Sequence, residues 1–244
     1  MSKPRYSRPR HVLVENILHA LNVTFLQKAQ CYFGGATRIV LDLAEYRESA
    51  DIDLLCSSRE GYRELRSTIR NNSLGQIAPS TLRLAREVVA DRYGIRTFVT
   101  FGGEKIKFEI VNENRIDLSG SLHSGLSVPC LSRVSCFAEK FLANDDRWDD
   151  EAVLSRDVID LAFMIEGWDV TAALQGCVAA RSAYGDSVDA AAVAAARKLI
   201  EKKDYLKKCV AGLRVTHTGT LMSGLKTIAA GKWTGVRRRG SRKG

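Results

Sequence analysis

The chain has 244 residues, 45% hydrophobic and 27% charged, enough to bury a core as one large domain or two modest ones, which excludes general disorder. No run approaches the ~18 apolar residues of a membrane span, and the basic start MSKPRYSRPRH lacks the apolar stretch of a secretory signal, so a soluble, cytoplasmic protein is expected. Six cysteines without a C-x2-C pair exclude a disulfide scaffold and a thiolate zinc site, and are expected as reduced core thiols.

The net charge of +9 lies at the ends. Residues 1–10 hold Lys3, Arg5, Arg8 and Arg10 without an acid, and residues 231–244 hold Lys232, Arg237, Arg238, Arg239, Arg242 and Lys243 without an acid, so the body between them sums to −1. Cationic ends suit a phosphate backbone, because each neutralised phosphate releases counterions. They equally suit a solubilising tail.

Residues 11–28 place apolar side chains at helical spacing, and CYF then reads as a short strand leading into Gly34-Gly35. ATRIVLDLAEYR continues as a helix, ADIDLLC as a short buried strand holding two acids, and GYRELRSTIRN as a surface helix. Three β-rich runs follow, the last two (IRTFVTF and EKIKFEIV) joined by Gly102-Gly103 as a hairpin. SGSLHSGLSVP, rich in Ser and Gly, reads as a loop and domain boundary. Beyond about residue 130, SRVSCFAEKFLA, DDEAVLSRDVIDLAFMIEG, VTAALQGCVAARSAYG and DAAAVAAARKLIEKKDYLKKC all carry helical periodicity with acids or Ser/Thr near their starts. The expectation is an α+β fold, with a mixed sheet and flanking helices over 1–128, a helical domain over 129–230 and a basic tail over 231–244.

Chemistry concentrates in Gly34-Gly35, then Asp51 and Asp53, then Glu109 on a later strand. Asp51 and Asp53 are two residues apart on a strand, so both carboxylates point to one face. Like charges held that close raise each other's pKa and destabilise the fold unless a cation neutralises them. Glu109 points away from its apolar neighbours Phe108 and Ile110, and a neighbouring strand could bring it to the pair. Three carboxylates around one or two Mg²⁺ ions suit in-line nucleotidyl transfer, and a glycine pair at a strand-to-helix turn lets backbone N–H groups approach the phosphates of a nucleoside triphosphate. Each signal is common alone; their order gives them meaning.

The stretch FGGATRIVLDLAEYRESADIDLL resembles the first motif of the AbiEii/AbiGii toxin family, within the DNA polymerase β-type nucleotidyltransferase superfamily. Gly34, Gly35, Arg47, Ser49, Asp51 and Asp53 fill its places, Glu109 in KFEI matches its third acid, and Lys140 followed by Arg156, Asp157 and Asp160 matches its lysine and R-D-x-x-D-L. Residues 36–38 are Ala-Thr-Arg, where many members carry a Thr-Ala-Leu-like sequence. The resemblance implies a nucleotidyltransferase-type mixed sheet followed by helices, and a Mg²⁺-dependent enzyme that transfers a nucleoside monophosphate from an NTP to an acceptor hydroxyl. It further implies a toxin of a toxin–antitoxin or phage-defence pair, with RNA, notably the acceptor end of tRNA, as substrate and a cognate antitoxin as partner. Asp51, Asp53 and Glu109 are the expected metal ligands. Gly34, Gly35, Arg47, Ser49 and Lys140 are the expected nucleotide contacts, with Lys140 and Asp157 completing the catalytic set.

Each of these residues also has a plainer reading. Lys140, beside Phe137 and Phe141, could simply snorkel to solvent, and Asp157 and Asp160 could orient it or only solvate their helix. Arg47 could meet a phosphate or Asp51, or lie on the surface at a helix end; Ser49 could bind a phosphate oxygen or cap a turn. Lys105 and Lys107 share the face of Glu109, lining the same cleft or a solvated face. The four histidines have no partner at metal or triad spacing, which argues against histidine catalysis. Trp148, Trp168 and Trp233 read as stacking platforms or as core anchors. Rivals to RNA transfer are transfer to a protein or small molecule, and a non-catalytic binding protein of the same fold.

Overall fold

In the computed structural model, which describes residues 5–232, the helical spacing over 11–28 yields two helices, α1 (Pro9–His19) and α2 (Val23–Lys28). Asn22 divides them, its side chain accepting the Phe25 N–H as an N-cap. Strand β1 (Cys31–Phe33) enters the glycine turn and α3 (Gly35–Asp42) leaves it. α3 is shorter than ATRIVLDLAEYR suggests because Ala44 and Glu45 turn left-handed, with φ of 56° and 54°. This frees the Glu45 carboxylate to accept the Ser7 and Arg8 N–H groups at the start of α1, at 2.8 and 3.0 Å.

The acidic strand is β2 (Ile52–Cys56), and α4 (Arg59–Ser67) begins at Ser58, whose hydroxyl accepts the Gly61 N–H. The β-rich runs give β3 (Arg83–Leu84), β4 (Val89–Ala90), β5 (Gly94–Phe101) and β6 (Glu104–Asn112). Gly102 and Gly103, at φ 57° and 83°, close the expected two-residue hairpin between the last two. SGSLHSGLSVP is not a plain loop: it carries β7 (Gly120–Leu122) and leads into β8 (Pro129–Leu131), which pair with each other. The Ser/Gly composition hid this hairpin because it is held by backbone pairing; Gly120 lies against Tyr32 and the Cys130 carbonyl where no Cβ fits.

The eight strands form one mixed sheet in the order β3-β5-β6-β2-β1-β8-β7, with β4 also beside β5. β2–β6 and β1–β8 run parallel and the other pairs antiparallel. Alternation along β2, β5 and β6 turns Ile52, Leu54, Val99, Ile106, Phe108 and Ile110 into the core, all fully buried. There they join Val14, Ile17 and Leu18 of α1, Leu26 of α2 and Leu65 of α4, each contributing roughly 1.5–3 kcal/mol by leaving water. The residues between them lie on the opposite, wetter face.

Two units emerge: residues 5–136 with 213–216, and residues 137–212 with 217–232, the division falling within α5 (Arg133–Arg147). The second unit continues through a one-turn helix at Glu151–Val153 to α6 (Arg156–Gly167), α7 (Val170–Tyr184), α8 (Ser187–Glu201), α9 (Lys203–Gly212) and α10 (Thr218–Ala229). The alanine-rich run thus forms two helices that break at Lys202. α10 packs on α6 and α8, and approaches α6 so closely at Gly224 that a Cβ would run into the Ala162 backbone. All six cysteines are buried and unbridged. Among the described residues no helix is long and apolar enough to cross a membrane. Lys3, Trp233 and the arginines of the basic tail lie outside the described residues.

Candidate active site

The glycine turn is fastened to the acidic strand. Gly34 donates its N–H to the Asp53 carbonyl at 2.8 Å, and a Cβ on Gly34 would come within 2.6 Å of Leu55 and 2.5 Å of Leu131. Gly35 sits at φ +64°, where L side chains are strained, and a Cβ there would strike the Asp53 carboxylate. Glycine is therefore required twice for contact and once for conformation.

Asp53 alternates with buried Ile52 and Leu54 and faces the wetter side of the sheet, while β2 begins one residue later than expected, at Ile52, and leaves Asp51 exposed just before it. The parallel register of β2 and β6 sets Asp53 directly opposite Glu109, which alternates with buried Phe108 and Ile110. Lys107 lies on the same side, two residues before Glu109, and its ammonium donates to the Glu109 carboxylate. Burial works against the Lys107 charge, but that hydrogen bond and the charges of Glu109, Asp53 and Asp51 outweigh it, so its pKa is raised.

The donor set consists of carboxylate oxygens, which suits a hard divalent cation such as Mg²⁺, and Lys107 already holds a positive charge among them. Among the described residues no three His, Cys, Asp or Glu side chains are gathered into a ready metal cage. Asp51, Asp53 and Glu109 share a face; taking a common ion requires their side chains to turn toward one point.

Ser49 and His11 connect this face to α1. Ser49 places its hydroxyl 2.9 Å from that of Thr37 in the first turn of α3, and its N–H donates to His11 Nε2 at 3.2 Å. His11 Nδ1 lies 2.8 Å from Glu45 Oε1. The imidazole is therefore neutral, protonated on Nδ1, accepting from the Ser49 backbone and donating to Glu45. Burial keeps the His11 pKa below its ordinary value despite Glu45. Glu45, although partly desolvated, is lowered to about 2 by the Ser7, Arg8 and His11 hydrogen bonds. Sequence spacing missed this relay because its members lie 34 and 38 residues apart. Arg47 is not a surface residue: it is buried and donates to the Glu48 carbonyl at 2.9 Å.

In the second unit, Lys140 does not snorkel. Only 6% exposed, its Nζ lies 2.9 Å from Asp157 and 2.7 Å from Asp160. Arg147 adds two hydrogen bonds to Asp157, at 2.7 and 3.1 Å. Burial alone would raise the Asp157 pKa, but Lys140 and Arg147 hold it well below the usual carboxylate range. The turn that launches α6 passes through Leu154 and Ser155, both left-handed. Trp168 stacks edge-on against Phe137 at 5.9 Å, as a core anchor.

The pattern that defines the family described as "Nucleotidyl transferase AbiEii toxin, Type IV TA system" matches residues 16–213. The chain belongs to this family. The AbiEii fold assignment agrees with the crystal structure of a proposed nucleotidyltransferase from H. pylori, which is similar at a TM-score of 0.56 and 14% identity over 92% of this chain and 97% of that one. A comparison with curated proteins finds no match. The chain is thus a nucleotidyltransferase of the AbiEii toxin family, with the mixed-sheet α+β fold expected. Its Arg38 is buried and paired within α3 to Asp42 at 3.3 Å.

Proposed function

We propose that this AbiEii-family enzyme transfers a nucleoside monophosphate from an NTP to a terminal hydroxyl of RNA, tRNA foremost, acting in the cytoplasm as the toxin of a toxin–antitoxin or phage-defence pair. One observation carries the reading: Asp53 and Glu109 stand opposite each other, with Asp51 on the same face, beside a glycine turn that admits no side chain. The acceptor oxygen attacks the α-phosphorus, a new P–O bond forms, the bond to the β-phosphate oxygen breaks, and pyrophosphate leaves. The hydroxyl proton passes to one of the carboxylates. Asp51, Asp53 and Glu109 are the residues that would hold Mg²⁺, which when bound would supply positive charge to the oxygens around the α-phosphorus.

The remaining roles follow from hydrogen-bonding capacity. The Gly34 N–H is engaged with Asp53, so Gly34 fixes the turn, while Gly35 and the next residues of α3 offer first-turn N–H groups to the phosphates. Ser49 supports that turn through Thr37, and Arg47 braces the loop preceding β2. In the second unit the same reading gives Lys140 the part of a phosphate-neutralising ammonium that Asp157 and Asp160 orient.

The test is incubation of the purified protein with Mg²⁺, each α-labelled NTP in turn and total cellular RNA, beside an Asp51→Ala/Asp53→Ala control. Label entering RNA only with the intact acids supports the reading; sizing the labelled RNA names its class. Label on protein or on a small molecule instead overturns RNA as the acceptor, and no transfer by a folded protein overturns the activity.

A further inference from the structure

The wetter face of β5 and β6 carries a row of side chains leading away from the acids. Arg96 stands opposite Glu109, Phe98 opposite Lys107 and Thr100 opposite Lys105, and β3 sets Arg83 opposite Thr100. Opposed residues of paired strands share a face, so this row is continuous with Asp53 and Glu109. Its charge changes sign along the way. Nearest the acids, Lys107 and Arg96 are each bound to a carboxylate, Glu109 and Asp91 respectively. Four residues from Glu109 and Arg96, about 13 Å at strand spacing, Lys105 and the Arg83 opposite Thr100 are exposed and have no acidic partner among the described residues. Between these levels the Arg86 guanidinium lies over the half-buried Phe98 ring, 4.8 Å from its centroid, also without an acidic partner among the described residues. The chain body sums to −1, so this local excess is not general basicity.

The geometry points to this row as the docking track of a single-stranded RNA end, which enters at Arg83 and Lys105 and presents its terminal hydroxyl to the acids. The inference rests on the transfer reading above and names the surface that serves it. A polynucleotide end is uncharged only at its last hydroxyl, with a phosphate behind every preceding sugar. Acids at one end of the track and unneutralised cations at the other therefore orient the strand hydroxyl-first. The Arg86–Phe98 stack offers a planar surface to an unpaired base, a contact that a paired base inside a duplex cannot make.

The experiment is fluorescence anisotropy of the full chain with a 5′-labelled, unstructured ten-nucleotide RNA, without NTP, across a salt series. Arg83→Ala/Arg86→Ala/Lys105→Ala should weaken binding and reduce the slope of log K against log salt by about two, since each lost phosphate contact on a single strand is worth roughly 0.7. Phe98→Leu should weaken binding about tenfold and leave the slope unchanged; because Phe98 is half-buried, its melting curve is checked, and Arg83→Glu/Lys105→Glu at exposed sites repeats the test without that risk. An unchanged slope in the triple variant, or tighter binding of a duplex of the same sequence, overturns the track. Transfer assays on the intact enzyme and on the row variants separate the two readings. Binding through the row with no transfer by the intact enzyme removes the transfer and keeps the track; transfer with variants that bind as wild type removes the track and keeps the transfer.

Discussion

On the wetter face of the sheet, Asp51, Asp53 and Glu109 lie around the ammonium of Lys107, which binds Glu109, and all remain in contact with water. In the second unit, Asp157 and Asp160 hold Lys140, Arg147 binds Asp157, and the two acids and the lysine are almost wholly removed from water. Both groups mix carboxylates with cations, but among the side chains named the first sets three carboxylates against one ammonium in contact with water, and the second sets two carboxylates against two cations. An imbalance that water can relieve is tolerated by the fold and leaves room for an added cation. A balanced group out of water fastens helices, and removing one member leaves a charge that nothing screens.

The largest expected effect follows from the first group. Asp53→Asn should lower nucleotidyl transfer by about three orders of magnitude, ~4 kcal/mol of transition-state stabilisation. Its melting temperature should stay within a few degrees of wild type, because a like charge beside Glu109 has been removed. The second group should respond the other way round. Lys140→Met should destabilise the protein by about 3–5 kcal/mol in urea unfolding, since Asp157 and Asp160 lose their shared cation. Adding Asp160→Leu should recover part of that stability; if Lys140 also serves the phosphates, transfer stays low in the recovered protein. An Asp53→Asn protein that unfolds as readily as Lys140→Met would erase the distinction.

Gly35→Ala tests the first group from the glycine side. The left-handed φ and the encounter with Asp53 should cost about 1–2 kcal/mol of stability, with transfer falling further than stability because Asp53 is displaced. The smallest effect is the pH dependence of the His11 relay. The folded pKa of His11 lies below its ordinary value, so the unfolded chain binds the proton more tightly. Stability should therefore fall as pH drops below about 6.5. Glu45, lowered to about 2, adds a further loss as pH falls from its ordinary carboxylate value toward 2. In His11→Ala the first limb of a melting-temperature profile should shrink to what His123 leaves, its pKa being lowered by burial too.

Sequence alone was enough to put Asp51 and Asp53 on one face, because strand alternation is a local rule, and Glu109 on the polar side of β6 for the same reason. It could not set Asp53 opposite Glu109, since register depends on which strands meet. His11 was invisible as a site residue: its contacts depend on Ala44 and Glu45 turning left-handed without a glycine to announce it. Resemblance singled out Lys140, while its depth was not legible because amphipathic spacing shows only which side of a helix a lysine occupies. Of the basic row, alternation put Lys105 and Lys107 on the face of Glu109, while Arg83, Arg96 and Phe98 join it only through β pairing.

Leu213–Thr216, which belong with the sheet although the second unit's helices precede them, bond back to the loop before the acidic strand. The Glu48 N–H donates to the Leu213 carbonyl at 3.2 Å, the Thr216 N–H to the Tyr46 carbonyl at 2.7 Å, and Arg214 pairs with Glu48 at 2.6 Å. A ribosome adding about 5–20 residues per second reaches Thr216 only roughly ten to thirty seconds after Glu48. The loop that carries Ser49 toward Asp51 therefore waits for that interval without this clasp. The loop before the acidic strand is thus closed by a segment that the ribosome supplies only after the helices between them, so its closure follows chain order rather than any residue of the site.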